Sequence, residues 1–121
     1  IELPHYDYEH YKFDTDYRYV YGCGLNLSRT NEFYNQLVKI DLHTGNHQVW
    51  YMEDHYPGEP VFIPHPQRTS EDHGALLSIV LNAAKGHSSL LVLDAQNLHE
   101  IGRAELPHPV LFGYHGTFIA D

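Results

Sequence analysis

The chain has 121 residues, room for one modest domain. Its 16 acidic against 7 basic side chains give a formal net charge of -9. That balance excludes nucleic acid as a partner, because phosphate binding needs a basic face, and it disfavours charge-driven docking on anionic lipid. No apolar run approaches the roughly 18 residues of a membrane-spanning helix.

Near the start, Glu2-Leu3-Pro4 sets a carboxylate two residues before a proline. Tyr17 to Gly24 alternates and is rich in tyrosine, which predicts a strand. Gln36 to Leu42 predicts a second. His43-Thr44-Gly45-Asn46 is turn chemistry and His47 to Glu53 returns, so the two form a hairpin. Val61 to Pro64 is a short extended piece between prolines. Ala75 to Leu81 is almost wholly apolar, as a strand buried on both faces would be. Leu90 to Asp94 follows, and Ile101 to Leu106 pairs back onto it. Leu111 to Tyr114 predicts a last short strand. Only Asn31 to Gln36 and Gln96 to Glu100 have room for a helical turn.

A faint repeat runs through this order. LVKIDLHTGNHQVW and LVLDAQNLHEIGRAEL each give a strand ending in aspartate (Asp41, Asp94), a polar turn and a returning strand. Their separation of about 50 residues is that of propeller blades, and a propeller needs about 4 to 8 of them. Two blades fit in this chain. It also begins at Ile1, directly in strand-like sequence, and ends on a hydrophobic run, so we read it as one end of a larger protein.

Eleven histidines permit a metal site without placing one. His115 stands out because Gly113 and Gly116 bracket it and Phe112, Tyr114 and Phe118 surround it. Glycines let backbone pass close to a crowded centre. A histidine enclosed by aromatics must satisfy both ring nitrogens, which a metal on one and an acceptor on the other would do. A core histidine bonded to backbone is the commoner case and meets the same local sequence. Glu59 lies between Pro57 and Pro60, and Pro60 biases it to extended backbone, so its carboxylate is aimed. An imidazole N–H is a natural partner for it, although an exposed turn glutamate is the commoner outcome. His43, His47, His65, His73, His87, His99 and His108 sit at turns and loops and are assigned to no metal. No Ser-His-Asp order, phosphate-binding loop or paired CxxC is present. The lone Cys23 excludes an internal disulfide and fits a reducing compartment, hence a cytoplasmic expectation.

IELP, YRYVYGCGLN, LVKIDLHTGNHQVW, YPGEPVFIPHP, EDHGALLSIVLN, SLLVLDAQNLHEIGRAELP and FGYHGTFI, in that order, resemble the C-terminal part of the carotenoid cleavage oxygenases. That family includes animal β-carotene oxygenases and the retinal pigment epithelium retinoid isomerase. The resemblance covers nearly the whole chain. It implies an all-β fold, the C-terminal blades of a seven-bladed β-propeller, with residues 1–121 forming the C-terminal part of a single propeller domain. It also implies a non-haem Fe(II) centre on four histidines, three of them backed by glutamates. On that resemblance His115 matches the last iron ligand and Glu59 the glutamate supporting it. Glu2 matches a glutamate supporting a histidine that lies before this chain. His73, where the family more often has Asp, and Tyr114, where it more often has Phe, depart from the pattern. The implied activity is cleavage of a conjugated double bond of a carotenoid or other apolar polyene by O2. A retinoid isomerase on the same iron scaffold and an inactive propeller fragment are the alternatives. Membrane contact would come through parts outside this chain.

Overall fold

The computed structural model describes residues 1–29 and 33–119. Among the described residues, nine strands and one helical turn follow in chain order: β1 (Glu2–His5), α1 (Tyr8–Tyr11), β2 (Tyr19–Gly24), β3 (Gln36–Asp41), β4 (His47–Tyr51), β5 (His55–Pro57), β6 (Val61–Pro64), β7 (Gly74–Asn82), β8 (His87–Asp94) and β9 (Glu100–Glu105). Every pairing is antiparallel. The first sheet is the meander β1-β2-β3-β4. In the second, β7, β8 and β9 follow in order, and β5 and β6 both pair with β7, one beside each end of it. The all-β, blade-like architecture expected from the sequence is therefore present.

The two aspartates of the repeat occupy equivalent places. Asp41 ends β3 and its carboxylate accepts the amide of His43 at 3.0 Å. Asp94 ends β8 and accepts the amide of Gln96 at 2.7 Å. Each closes its hairpin turn through its own side chain, the usual reason for aspartate at such a place.

Two irregularities position side chains between the sheets. In β1, Glu2 pairs with Cys23 and His5 with Tyr21, so two residues of β1 oppose the single Gly22. Leu3 takes a left-handed φ of 49° at that bulge. Without the extra residue, Glu2 and His5 would point to opposite faces. With it, both lie on the face of Cys23 and Tyr21, toward the second sheet. The edge of the second sheet is likewise one strand in two pieces. Pro57 pairs with Val80 and Val61 with Leu77, so Gly58, Glu59 and Pro60 oppose only Ser78 and Ile79. Pro57 and Pro60 have no N–H for a ladder, and a sheet edge is where that is tolerated.

The core lies between the sheets. Tyr21, Cys23, Leu37 and Trp50 meet Phe62, Leu76, Val80, Leu91 and Leu93. Tyr21 and Phe62 stack with centroids 5.4 Å apart, and the Tyr21 hydroxyl donates to the carbonyl of Ala95. A polar bond also crosses. Lys39 on β3 donates to Asp72 at 2.7 Å and to the carbonyl of Gln96 at 2.9 Å. Beside it, Glu71 accepts the amides of Arg18 and Tyr19.

The structure corrects several expectations. Leu111 to Tyr114 is not a strand but part of a tail crossing the outer face of the second sheet. Gln96 to Glu100 is a turn leading into β9, without helix. Of the other expected helical turn, Asn31 lies outside the described residues and Gln36 begins β3. The helical turn that forms is Tyr8–Tyr11, in a stretch with no apolar periodicity to announce it; Asp7, buried beneath it, pairs with Arg68. Finally, β7 is buried on one face only. Leu76, Ser78 and Val80 face the core, while Ile79 is 38% exposed because only the tail covers that side.

Candidate metal centre

Glu59 sits at the break in the edge strand, and the residue before it is tied to β7 twice. Gly58 donates its amide to Ile79 at 2.8 Å, and the Ser78 hydroxyl donates to the carbonyl of Gly58 at 2.8 Å. The Glu59 side chain is largely buried and meets the tail with both oxygens. One accepts the Nδ1–H of His115 at 3.0 Å, and the other accepts the amide of Gly116 at 2.7 Å. A carboxylate only accepts, so this contact fixes the His115 tautomer with the proton on Nδ1. The lone pair is then on Nε2, which makes no hydrogen bond among the described residues. The amide of Gly116 holds the carboxylate in line with the ring, so both groups are oriented.

The tail that brings His115 here is anchored at Ser88. This buried residue donates its amide to His108, accepts the Leu106 amide on its carbonyl and accepts the Val110 amide on its hydroxyl. Between Ser88 and Glu59 the tail roofs an apolar groove of about 320 Å³. Leu77, Ile79 and Leu81 form its floor; Leu111, Phe112 and Phe118 form its wall.

The sequence places His115 inside an aromatic enclosure, and the structure does not. Its side chain is 78% exposed, and Phe112, Tyr114 and Phe118 are also open. The aromatics line a groove beside the ring without closing over it, because the tail is covered from one side only. Glu2 is not brought to His115. It lies on the edge strand of the first sheet, across from Cys23, is exposed, and makes no side-chain hydrogen bond among the described residues. Its place is nonetheless the counterpart of Glu59: each stands at an irregularity of the edge strand of its own sheet, with a proline one or two residues on.

Among the described residues, no three histidine, cysteine, aspartate or glutamate side chains lie together as a metal site. What is present fits one position of such a site, a neutral imidazole with its Nδ1–H on a carboxylate and Nε2 directed outward. His5 is a neighbour that sequence reasoning misses. It is half-buried, its Nδ1 accepts the amide of Phe62 at 3.3 Å, and burial lowers its pKa while the Glu59 charge works against that. Cys23 is close as well, its thiol meeting the carbonyl of Pro57 at 3.8 Å. Burial, with the Glu59 charge adding to it, pushes that thiol up to about 12, so it stays protonated and unreactive. A histidine directly after Glu-Leu-Pro is visible in the sequence, but only the bulge in β1 turns it inward.

The sequence profile of the retinal pigment epithelial membrane protein family matches residues 1–120. This chain belongs to that family. Over 120 residues it is 41% identical to the mitochondrial carotenoid-cleaving dioxygenase of Macaca fascicularis, covering 98% of this chain and 21% of that protein. Over 103 residues it is 39% identical to the chloroplastic carotenoid cleavage dioxygenase 8 of Arabidopsis thaliana, covering 85% of this chain and 18% of that one. Among solved structures, a chimera of ACO and RPE65 superposes with a TM-score of 0.91 at 28% identity, over 99% of this chain and 25% of that one. Cobalt-substituted Synechocystis ACO superposes with a TM-score of 0.86 at 30% identity, over 94% and 24%. The chain thus spans about a fifth of the length of the curated relatives it matches. Its two sheets are blades of the family's β-propeller.

Proposed function

We propose that the protein carrying this chain cleaves a conjugated double bond of a carotenoid or apocarotenoid with O2, leaving two aldehyde or ketone ends. In this reading residues 1–121 are the C-terminal part of one propeller domain, and a non-haem Fe(II) is held in part by Nε2 of His115. The observation that carries it is the contact of Glu59 with both the His115 ring and the Gly116 amide, beside an apolar groove, in a chain of this family.

When bound, ferrous iron on histidine nitrogens would supply O2 activation. The residues of this chain do the remaining work. Glu59 keeps the proton on Nδ1, which leaves Nε2 as the donor nitrogen, and makes the imidazole a stronger base. Gly116 lends its amide to the same carboxylate. Leu77, Ile79, Phe112 and Phe118 offer a long hydrocarbon a dry surface. Glu2 would support a second histidine supplied by another part of the protein.

The resemblance that implies this activity also implies a retinoid isomerase on the same iron scaffold, which stays as a second reading. Assay of the full-length protein with β-carotene and O2, and in parallel with a retinyl ester, separates the two. Two carbonyl products, with O2 consumed, are expected. Isomerised retinol without O2 uptake would transfer the protein to the second reading, and neither product would make it an inactive propeller. Among the described residues no helix is long and apolar enough to cross a membrane. The relatives are named for mitochondria and chloroplasts. The cytoplasmic expectation rests only on a reduced cysteine, which those interiors satisfy equally.

A further inference from the structure

We propose that His5 is a positioning residue for Glu59: from β1 it holds the amide of Phe62, and so fixes the strand break that carries the carboxylate. The proposal rests on the reading of His115 as a metal ligand.

Phe62 lies three residues beyond Glu59 on β6, is buried, and belongs to an edge strand. A buried edge amide has no neighbouring strand to receive it and needs another acceptor. Nδ1 of His5 is that acceptor, at 3.3 Å. The Phe62 ring is held at the same place by stacking on Tyr21, and Tyr21 is the residue paired with His5 across β1 and β2. On the other side of Glu59, the Cys23 thiol meets the carbonyl of Pro57. The first sheet therefore grips the broken strand on both sides of Glu59, with the imidazole on one and the thiol on the other.

The backbone of β1 is shaped for this grip. Only the bulge, with Leu3 in the left-handed region, turns His5 toward the second sheet. A leucine in that conformation is unfavourable, so surrounding contacts must hold it there. Burial keeps the ring neutral, which preserves the Nδ1 lone pair. If the grip is lost, Gly58 and Pro60 can shift within a strand that has one residue too many, and Glu59 moves relative to the His115 ring.

The test uses the full-length protein and Fe(II) affinity measured by chelator competition, with circular dichroism to confirm folding. Asparagine places its amide oxygen where Nδ1 stands, whereas leucine offers no acceptor. We expect His5→Leu to weaken Fe(II) binding about tenfold and His5→Asn to stay within about threefold of the parent. In a Glu59→Gln background the His5→Leu effect should vanish, because the two act in series. If His5→Leu does not fold, His5→Met replaces it, since its flexible side chain fills the space with only a weak acceptor. Unchanged Fe(II) affinity in the leucine or methionine variant, or an effect that adds in full to that of Glu59→Gln, overturns the proposal. Unchanged affinity in Glu59→Gln alone would instead overturn the reading of His115 on which it rests.

Discussion

A histidine becomes a dependable ligand when something else decides which nitrogen carries the proton. In this chain the decision falls to Glu59, which takes Nδ1–H of His115 at 3.0 Å and the Gly116 amide at 2.7 Å. Glutamine keeps the size of the side chain but presents one oxygen and one N–H donor group, so it cannot accept from both. In the full-length protein we expect Glu59→Gln to lower Fe(II) affinity or turnover about 10- to 100-fold, the usual cost of losing such a partner, with little change in thermal midpoint. Titration with Fe(II) alongside a melting curve separates a positional effect from an unfolding one. Glu59 can be singled out from sequence because two prolines stiffen its backbone. Its service to Gly116 cannot, since a backbone amide leaves no mark in the amino-acid pattern.

At the scale of the elements, the joint between the sheets depends on a polar bond inside an apolar interface. Burial alone would raise the Asp72 carboxyl, but hydrogen bonds from Lys39 and Ser70 outweigh it and hold the group below its ordinary value of 3.8. The unfolded chain therefore binds the proton first as pH falls. The stability this group contributes is complete above about pH 4 and is lost as pH drops through the lowered native value. Asp72→Asn leaves the Lys39 ammonium buried against a neutral partner, and we expect a loss of about 3 kcal/mol in chemical denaturation at pH 7. The variant should also lose part of the parent's acid sensitivity. Sequence alone makes β2, β3, β4, β6, β7, β8 and β9 legible, because alternation and turn chemistry are local signals. It passes over β5 and α1. Three residues at His55–Pro57 are too few to show a period, and the turn at Tyr8–Tyr11 depends on Asp7 and Arg68, far apart in sequence. The tail reads as a strand because Val110, Leu111 and Phe112 are apolar. What they cover, the outer face of β7, is a fact of tertiary structure.

At the scale of the molecule, two sheets share one core and leave an apolar face on each outer side. Val49 and Tyr51 are exposed on the first sheet, and Ile79 on the second. Patches of this kind on both sides mark surfaces made to be covered, and a propeller covers each blade with its neighbours. Expressed alone, residues 1–121 should self-associate, bind Fe(II) weakly and turn nothing over, which sedimentation and equilibrium dialysis would check. Tight stoichiometric iron on that piece would show that His115 needs no ligands from the rest of the protein. The central claim, that His115 is a ligand in a metal centre completed by the rest of the protein, is tested most directly by the iron content of full-length His115→Ala. The variant should fold with the parent's circular dichroism and contain almost no iron; a full complement of iron in the folded variant would contradict the account.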